Sequence, residues 1–180
     1  MEKTKKSYYQ SLYEVACAVN SAIEQEAVLH CIVERMTEAM EAKGCSLMLL
    51  SPDRRQLLHT VDCGLSKGYL TKGPISTDKS VAPALEGKPV AIEDVTTDDR
   101  VQYPEQAKKE GIASILCAPM MLRGEIVGVI RVYTADRRQF DLNDMYFVGA
   151  IAHLGAIALE NAKRYERLEG EYMEFRRRTF

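Results

Sequence analysis

Tryptophan is absent from this chain of 180 residues, histidine occurs three times, and no CxxC or HxxxH pair sets two ligands on one face of a turn or helix. Zinc sites draw on such short spacings, so the sequence offers no basis for a metal centre. No run of about 18 apolar residues is evident, and with it goes the pattern that asks for a membrane span. The opening residues, MEKTKKSYYQSLYE, lack the apolar stretch and small-residue cleavage site of a secretory signal, and a cytoplasmic protein is expected. Excess charge is missing too. Lys plus Arg number 24 against 26 Asp plus Glu, a net charge of -2, so no direct nucleic-acid or membrane binding is expected. The five cysteines (Cys17, Cys31, Cys45, Cys63, Cys117) are odd in number, widely spaced and mostly set among apolar neighbours. Reduced, buried thiols fit that pattern better than a disulfide framework.

What is present is core. Apolar residues make up 46% of the chain, enough for one globular domain of ordinary size. Tyr8, Leu12, Val15, Val19 and Ala22 recur at alternating intervals of four and three, which predicts an amphipathic helix from about 5 to 23 with a narrow apolar stripe. Val28, Leu29, Ile32, Val33, Met36 and Met40 give a second helix a broader face, ending near Gly44, as a helix lying on a sheet would have. The segments 45–51 and 56–63 read as a hairpin around SPDRR, followed by a Gly-rich loop, a short helix capped by Asp78 or a neighbour, and a strand over 89–95. A polar stretch with a helix near 103–110 reads as a surface lid. Strands 115–122 and 125–134 are joined through Arg123-Gly124, and Gly128 leaves a gap in the second. Asp141 can cap a last helix, with Asp144 three residues on. In that helix Phe147, Ile151, Leu154, Ala158, Tyr165, Leu168, Tyr172 and Phe175 hold heptad positions, with Asn161 polar.

Strands and helices in this order imply an α+β fold: a central antiparallel sheet with N- and C-terminal helices on one face. Loops and short helices from about 64 to 111 cover the other, and a face so covered is a place for a small-molecule pocket.

Four stretches, SVAPALEGKPVAIEDV (80–95), GIASILCAPMMLRGEIVGVIRVY (111–133), Phe140 with its acidic helix start, and IALENAKRYERL (157–168), together resemble the GAF domain family. The likeness implies a GAF/PAS-like fold, a pocket on the face away from the terminal helices, and a signalling or regulatory role. The NKFDE-type signature of cyclic-nucleotide-binding members is not recognisable, nor are the bilin-holding surroundings of phytochromes. The enzymatic branch that reduces free methionine sulfoxide uses cysteines in a Trp-containing segment, which this chain lacks. No cofactor is named by the pattern.

Several residues become candidates. Arg131 lies inside a strand and shares a face with Val127, Val129 and Tyr133 by alternation; it either holds a ligand carboxylate or phosphate, or snorkels to solvent. His59 alternates with Leu57 and Val61 and is either a ligand or metal contact or a satisfied half-buried histidine. Cys117 and Cys63 are redox candidates or buried filler. Ser80 and Tyr103 complete the ligand-binding set, Tyr103 sitting with Asp98 and Asp99 in the presumed lid, where solvated loop is the plain alternative. Residues 1–25 are expected to be an N-terminal dimerisation helix, 26–160 the sensor domain, and 161–180 a helical extension for signalling or dimerisation. The expected interface of a homodimer is Leu12, Val15, Val19, Leu154, Tyr165, Leu168 and Tyr172, with an output domain or signalling partner beyond it. The favoured reading is a non-catalytic sensor for an unidentified small molecule that relays through dimer helices. A cysteine-dependent oxidoreductase and a ligand-free dimerisation scaffold are the alternatives.

Overall fold

The computed structural model describes residues 2–21, 25–79 and 81–179, with side chains for most of them. Two helices, α1 (Glu2–Ser21) and α2 (Gln25–Ala39), precede the hairpin β1 (Gly44–Leu50) and β2 (Gln56–Cys63). The covering segment holds α3 (Lys67–Leu70), β3 (Ile75–Ser76), α4 (Ala82–Leu85), β4 (Val90–Ile92) and α5 (Pro104–Glu110). Strands β5 (Ser114–Leu122) and β6 (Glu125–Thr134) lead into the long helix α6 (Leu142–Thr179). The sheet has six antiparallel strands in the order β3-β2-β1-β6-β5-β4. The expected α+β architecture is therefore present.

Local chemistry explains most of these boundaries. Arg123 and Gly124 both adopt positive φ, 51° and 84°, as a two-residue type I′ connection requires. The start of α6 is a reciprocal cap: Asp144 N donates to Asp141 Oδ1 at 2.9 Å, and Asp141 N donates to Asp144 Oδ2 at 3.2 Å. The other carboxylate oxygen of Asp144 accepts from Tyr8 Oη at 2.6 Å and Arg138 Nη2 at 2.9 Å, while Arg138 Nη1 donates to Met40 O at 2.7 Å. One arginine thus ties α1, the end of α2 and the start of α6 together. The cap expected of Asp78 does not form. Asp78 instead accepts from the Ser76 hydroxyl, and α4 starts after Val81 with no side-chain cap, its first turn set by Pro83.

The helix layer buries Val15, Ile32, Val33, Met36, Ile151, Ala152 and Ala156 against Leu47, Leu116, Ala118, Met120, Ile130 and Val132 of the sheet. This corrects the reading of the terminal stripes as free seams. Val15 and Val19 are already buried within one chain, and Phe147, Ile151 and Ala158 belong to a broad α6 face with Val148, Ala152 and Leu159. Leu12 and Leu154 are half-buried against the same cluster. The side chains of Tyr165, Leu168, Tyr172 and Phe175 lie outside the described residues. Residues 142–162 reach the length and mean hydropathy of a membrane span although they are no unbroken apolar run, and half of that stretch is buried inside the protein, as expected for a core helix.

Candidate ligand site beneath the lid

Two irregularities decide what faces the lid. The β1–β2 register runs Leu47↔Val61 and then Met48↔His59, so Thr60 is an extra residue, and β5–β6 runs Met120↔Gly128 and then Met121↔Ile126, so Val127 is another. A single inserted residue reverses the facing of everything beyond it. Val61 and Val127 therefore pack with the helix-side core, whereas Leu57 and Val129 belong to the lid side. The expected sharing of a face by His59 with Val61, and by Arg131 with Val127, fails for this reason.

On the lid side, Met48, Leu57, Cys117 and Val129 pack with Ile75, Val81 and Ala84 of the cover. Ile115 and Tyr133 pack with Tyr69, Val95, Ala107 and Ile112. Arg131 lies between the two groups, its cross-strand neighbours being Ser46 on β1 and Cys117 on β5. It is 3% exposed, so the snorkelling alternative is ruled out. Among the described residues, no carboxylate pairs with it, and its Nε is buried with no hydrogen-bond partner. Its nearest compensation is the Tyr133 ring, 5.5 Å from Cζ. Burying a charge without a partner costs several kcal/mol in general, and a cation–π contact returns about 0.5–2 kcal/mol. Folding alone does not account for the residue.

Sequence reasoning missed the second cation. Lys72 Nζ stands 3.5 Å over the Tyr69 ring and donates to Tyr69 O at 2.9 Å. Tyr69 in turn meets Tyr133 edge-on at 5.8 Å, and Tyr133 Oη shares a 2.9 Å hydrogen bond with Ser46 Oγ. Burial, and then the Arg131 charge, push the Lys72 amine down to about 8. The signal lay in KGYLTKG: Tyr69 and Lys72 stand three apart in a segment that reads as plain loop.

The remaining candidates divide. Cys117 is buried beneath Arg131, and desolvation pushes its thiol up to about 11. His59 is exposed at the mouth of a 150 Å³ cavity that also takes in Met48, Leu57, Lys72 and Ile75; its Nε2 is 3.4 Å from Asp62 Oδ2. Burial lowers its pKa, which Asp62 partly offsets. Tyr103 is occupied structurally, since its hydroxyl donates to Pro74 O and accepts from Gln102 Nε2, both at 3.0 Å. It lines a separate open cleft with Arg55, Ser76 and Asp78. Ser80 lies outside the described residues. The structure thus brings Arg131, Cys117, Lys72, Tyr69 and Tyr133 to one place, with His59 at its margin.

The sequence that builds this covered sheet matches the GAF domain family over residues 24–159. The chain belongs to the GAF domain family. As a relative of this GAF domain, the methyl sulfide methyltransferase-associated sensor of Methanosarcina acetivorans is 23% identical over 165 residues, covering 88% of this chain and 16% of its own length. The chain therefore spans only a small part of that relative. Among solved structures, the GAF domain of a phosphoenolpyruvate-protein phosphotransferase from Coxiella burnetii superposes with a TM-score of 0.78 at 19% identity, covering 90% of this chain and 98% of that one. Free methionine-R-sulfoxide reductase from Neisseria meningitidis, in complex with its substrate, superposes with a TM-score of 0.75 at 19% identity, over 88% and 91%. At such identities the structural likeness shows the fold alone.

Proposed function

We propose that this GAF domain is a non-catalytic sensory or regulatory module that binds a small anion between the sheet and its cover. Arg131 is the observation that carries the reading, because a buried guanidinium with an unpartnered Nε is explained by a partner the fold does not contain. A ligand-free scaffold would have no use for it. Replacing Arg131→Ala should weaken anion binding by about 1.5–3 kcal/mol, the loss expected for a hydrogen bond to a charged group. Calorimetry on wild type and variant measures it, and equal affinities would remove Arg131 from the site.

Strand β6 continues from Arg131 and Tyr133 to the loop whose Arg138 grips Met40, Tyr8 and Asp144. A ligand that repositions β6 would therefore act on the α1–α6 packing, where two states with different ligand affinity are the minimum a relay needs. That packing leaves Tyr9 and Tyr13 of α1 and Tyr146 and Ile157 of α6 exposed. We place the homodimer contact on this outward face, in a cytoplasmic setting, instead of on Val15 and Val19. Sedimentation at tens of micromolar should show a wild-type dimer and a folded monomer for the Tyr13→Glu, Ile157→Glu double variant. A dimer unaffected by both changes would relocate the interface.

A cysteine enzyme built on Cys117 is disfavoured by thiol chemistry. A thiol pushed up to about 11 is almost wholly protonated at neutral pH, and the thiolate is the reactive form. Free methionine sulfoxide should not be reduced by this protein above background. Turnover that disappears on changing Cys63→Ser or Cys117→Ser would overturn the non-catalytic assignment.

A further inference from the structure

Given the ligand site proposed above, on which this inference rests, we infer that Arg131 and Lys72 together bind one doubly charged small anion, a dicarboxylate or a phosphate monoester. The two cations flank one aromatic pair: Lys72 Nζ lies over Tyr69, Tyr69 touches Tyr133, and Arg131 lies over Tyr133. Neither cation has an ion-pair partner among the described residues. Glu110, whose charge reaches Lys72 weakly, is committed elsewhere: it accepts from Ser66 N at 2.9 Å and from the Ser66 hydroxyl, and it lies 3.6 Å from Lys43 Nζ. Two half- or fully buried positive charges repel each other, and one negative charge leaves that repulsion half unrelieved. A dianion neutralises both. Planar Arg131 suits bidentate contact through its free Nε, while Lys72 keeps two of its three donors after serving Tyr69 O.

The test uses three probes on the folded chain: butanedioate, methyl phosphate and, as the singly charged match, butanoate. Butanedioate and methyl phosphate should each bind at least tenfold more tightly than butanoate. Lys72→Met, and independently Lys72→Gln, should reduce both dianions to the butanoate level, a far larger loss than butanoate itself suffers. Arg131→Met should lose all three. The groups facing Lys72 are Tyr69 on α3, His59 on β2, Glu110 on α5 and Arg131 on β6. The butanedioate preference of wild type should fade as pH rises through about 8, where Lys72 loses its proton, and not in the Lys72 variants. Equal binding of butanoate and butanedioate, or a preference that survives loss of Lys72, overturns the two-cation site and leaves the anion site standing. If only one dianion binds, the ligand class narrows to that one and the pair is upheld. Failure of all three probes on folded protein overturns both.

Discussion

Replacing Arg131 with methionine should make the unliganded domain more stable by about 1–4 kcal/mol, the gain known when apolar side chains replace buried ionic groups. The site is suited to the exchange, since Cys117 and Val129 beside it are buried and apolar. Methionine is unbranched and adaptable, and it adds no polar atom to the face. The opposing loss is the Tyr133 contact, about 0.5–2 kcal/mol, smaller than the desolvation relieved. Urea denaturation of protein freed of ligand should show a higher midpoint with an unchanged slope. The same variant should lose anion binding, the exchange of stability for function expected where a residue is kept for a ligand. A midpoint that falls as for a truncated core residue would make Arg131 a structural element.

The Gly128→Ala change should cost more than 3–4 kcal/mol, lowering the thermal midpoint by about 10 °C or leaving the protein unfolded. A Cβ at Gly128 would stand 2.2 Å from Met48 O and 3.1 Å from Leu49 Cα. Both are backbone atoms of β1, so no rotamer can yield and the central β1–β6 pair must separate. Gly149→Ala is the control, because nothing lies within 4 Å of its added Cβ and alanine favours helix by about 1 kcal/mol. Calorimetric scans of the two variants should move in opposite directions. Equal, small shifts would mean that β1 and β6 are not so closely packed.

Periodicity made the large elements legible in the sequence: the broad stripe of α2, the paired runs of β5 and β6 around Arg123-Gly124, and the Asp141 cap each state their own physical reason. What could not be read was set by insertion and by tertiary burial. Thr60 and Val127 look like ordinary strand residues, yet as bulges they turn Val61 and Val127 toward the helices. Alternation therefore placed Arg131 correctly with Val129 and Tyr133 but gave it and His59 one wrong neighbour each. Helix α3 escaped because four residues carry almost no periodic signal; with it went Lys72, half of the charge in the site. The heptad stripe of α6 was read as a seam because coiled-coil and sheet-facing helices share their a and d positions. Only burial of the flanking Val148, Ala152 and Leu159 separates the two over the first half of the helix.

The Nε–Hε resonance of Arg131, observed by NMR in the folded protein, reports on a buried donor that has no hydrogen-bond partner among the described residues. Titration with butanedioate and methyl phosphate should shift that resonance saturably, with the ring signals of Tyr133 and Tyr69 following at the same concentrations. A resonance that stays in place for every anion, in a protein whose remaining spectrum is that of the intact domain, would contradict an anion site at Arg131.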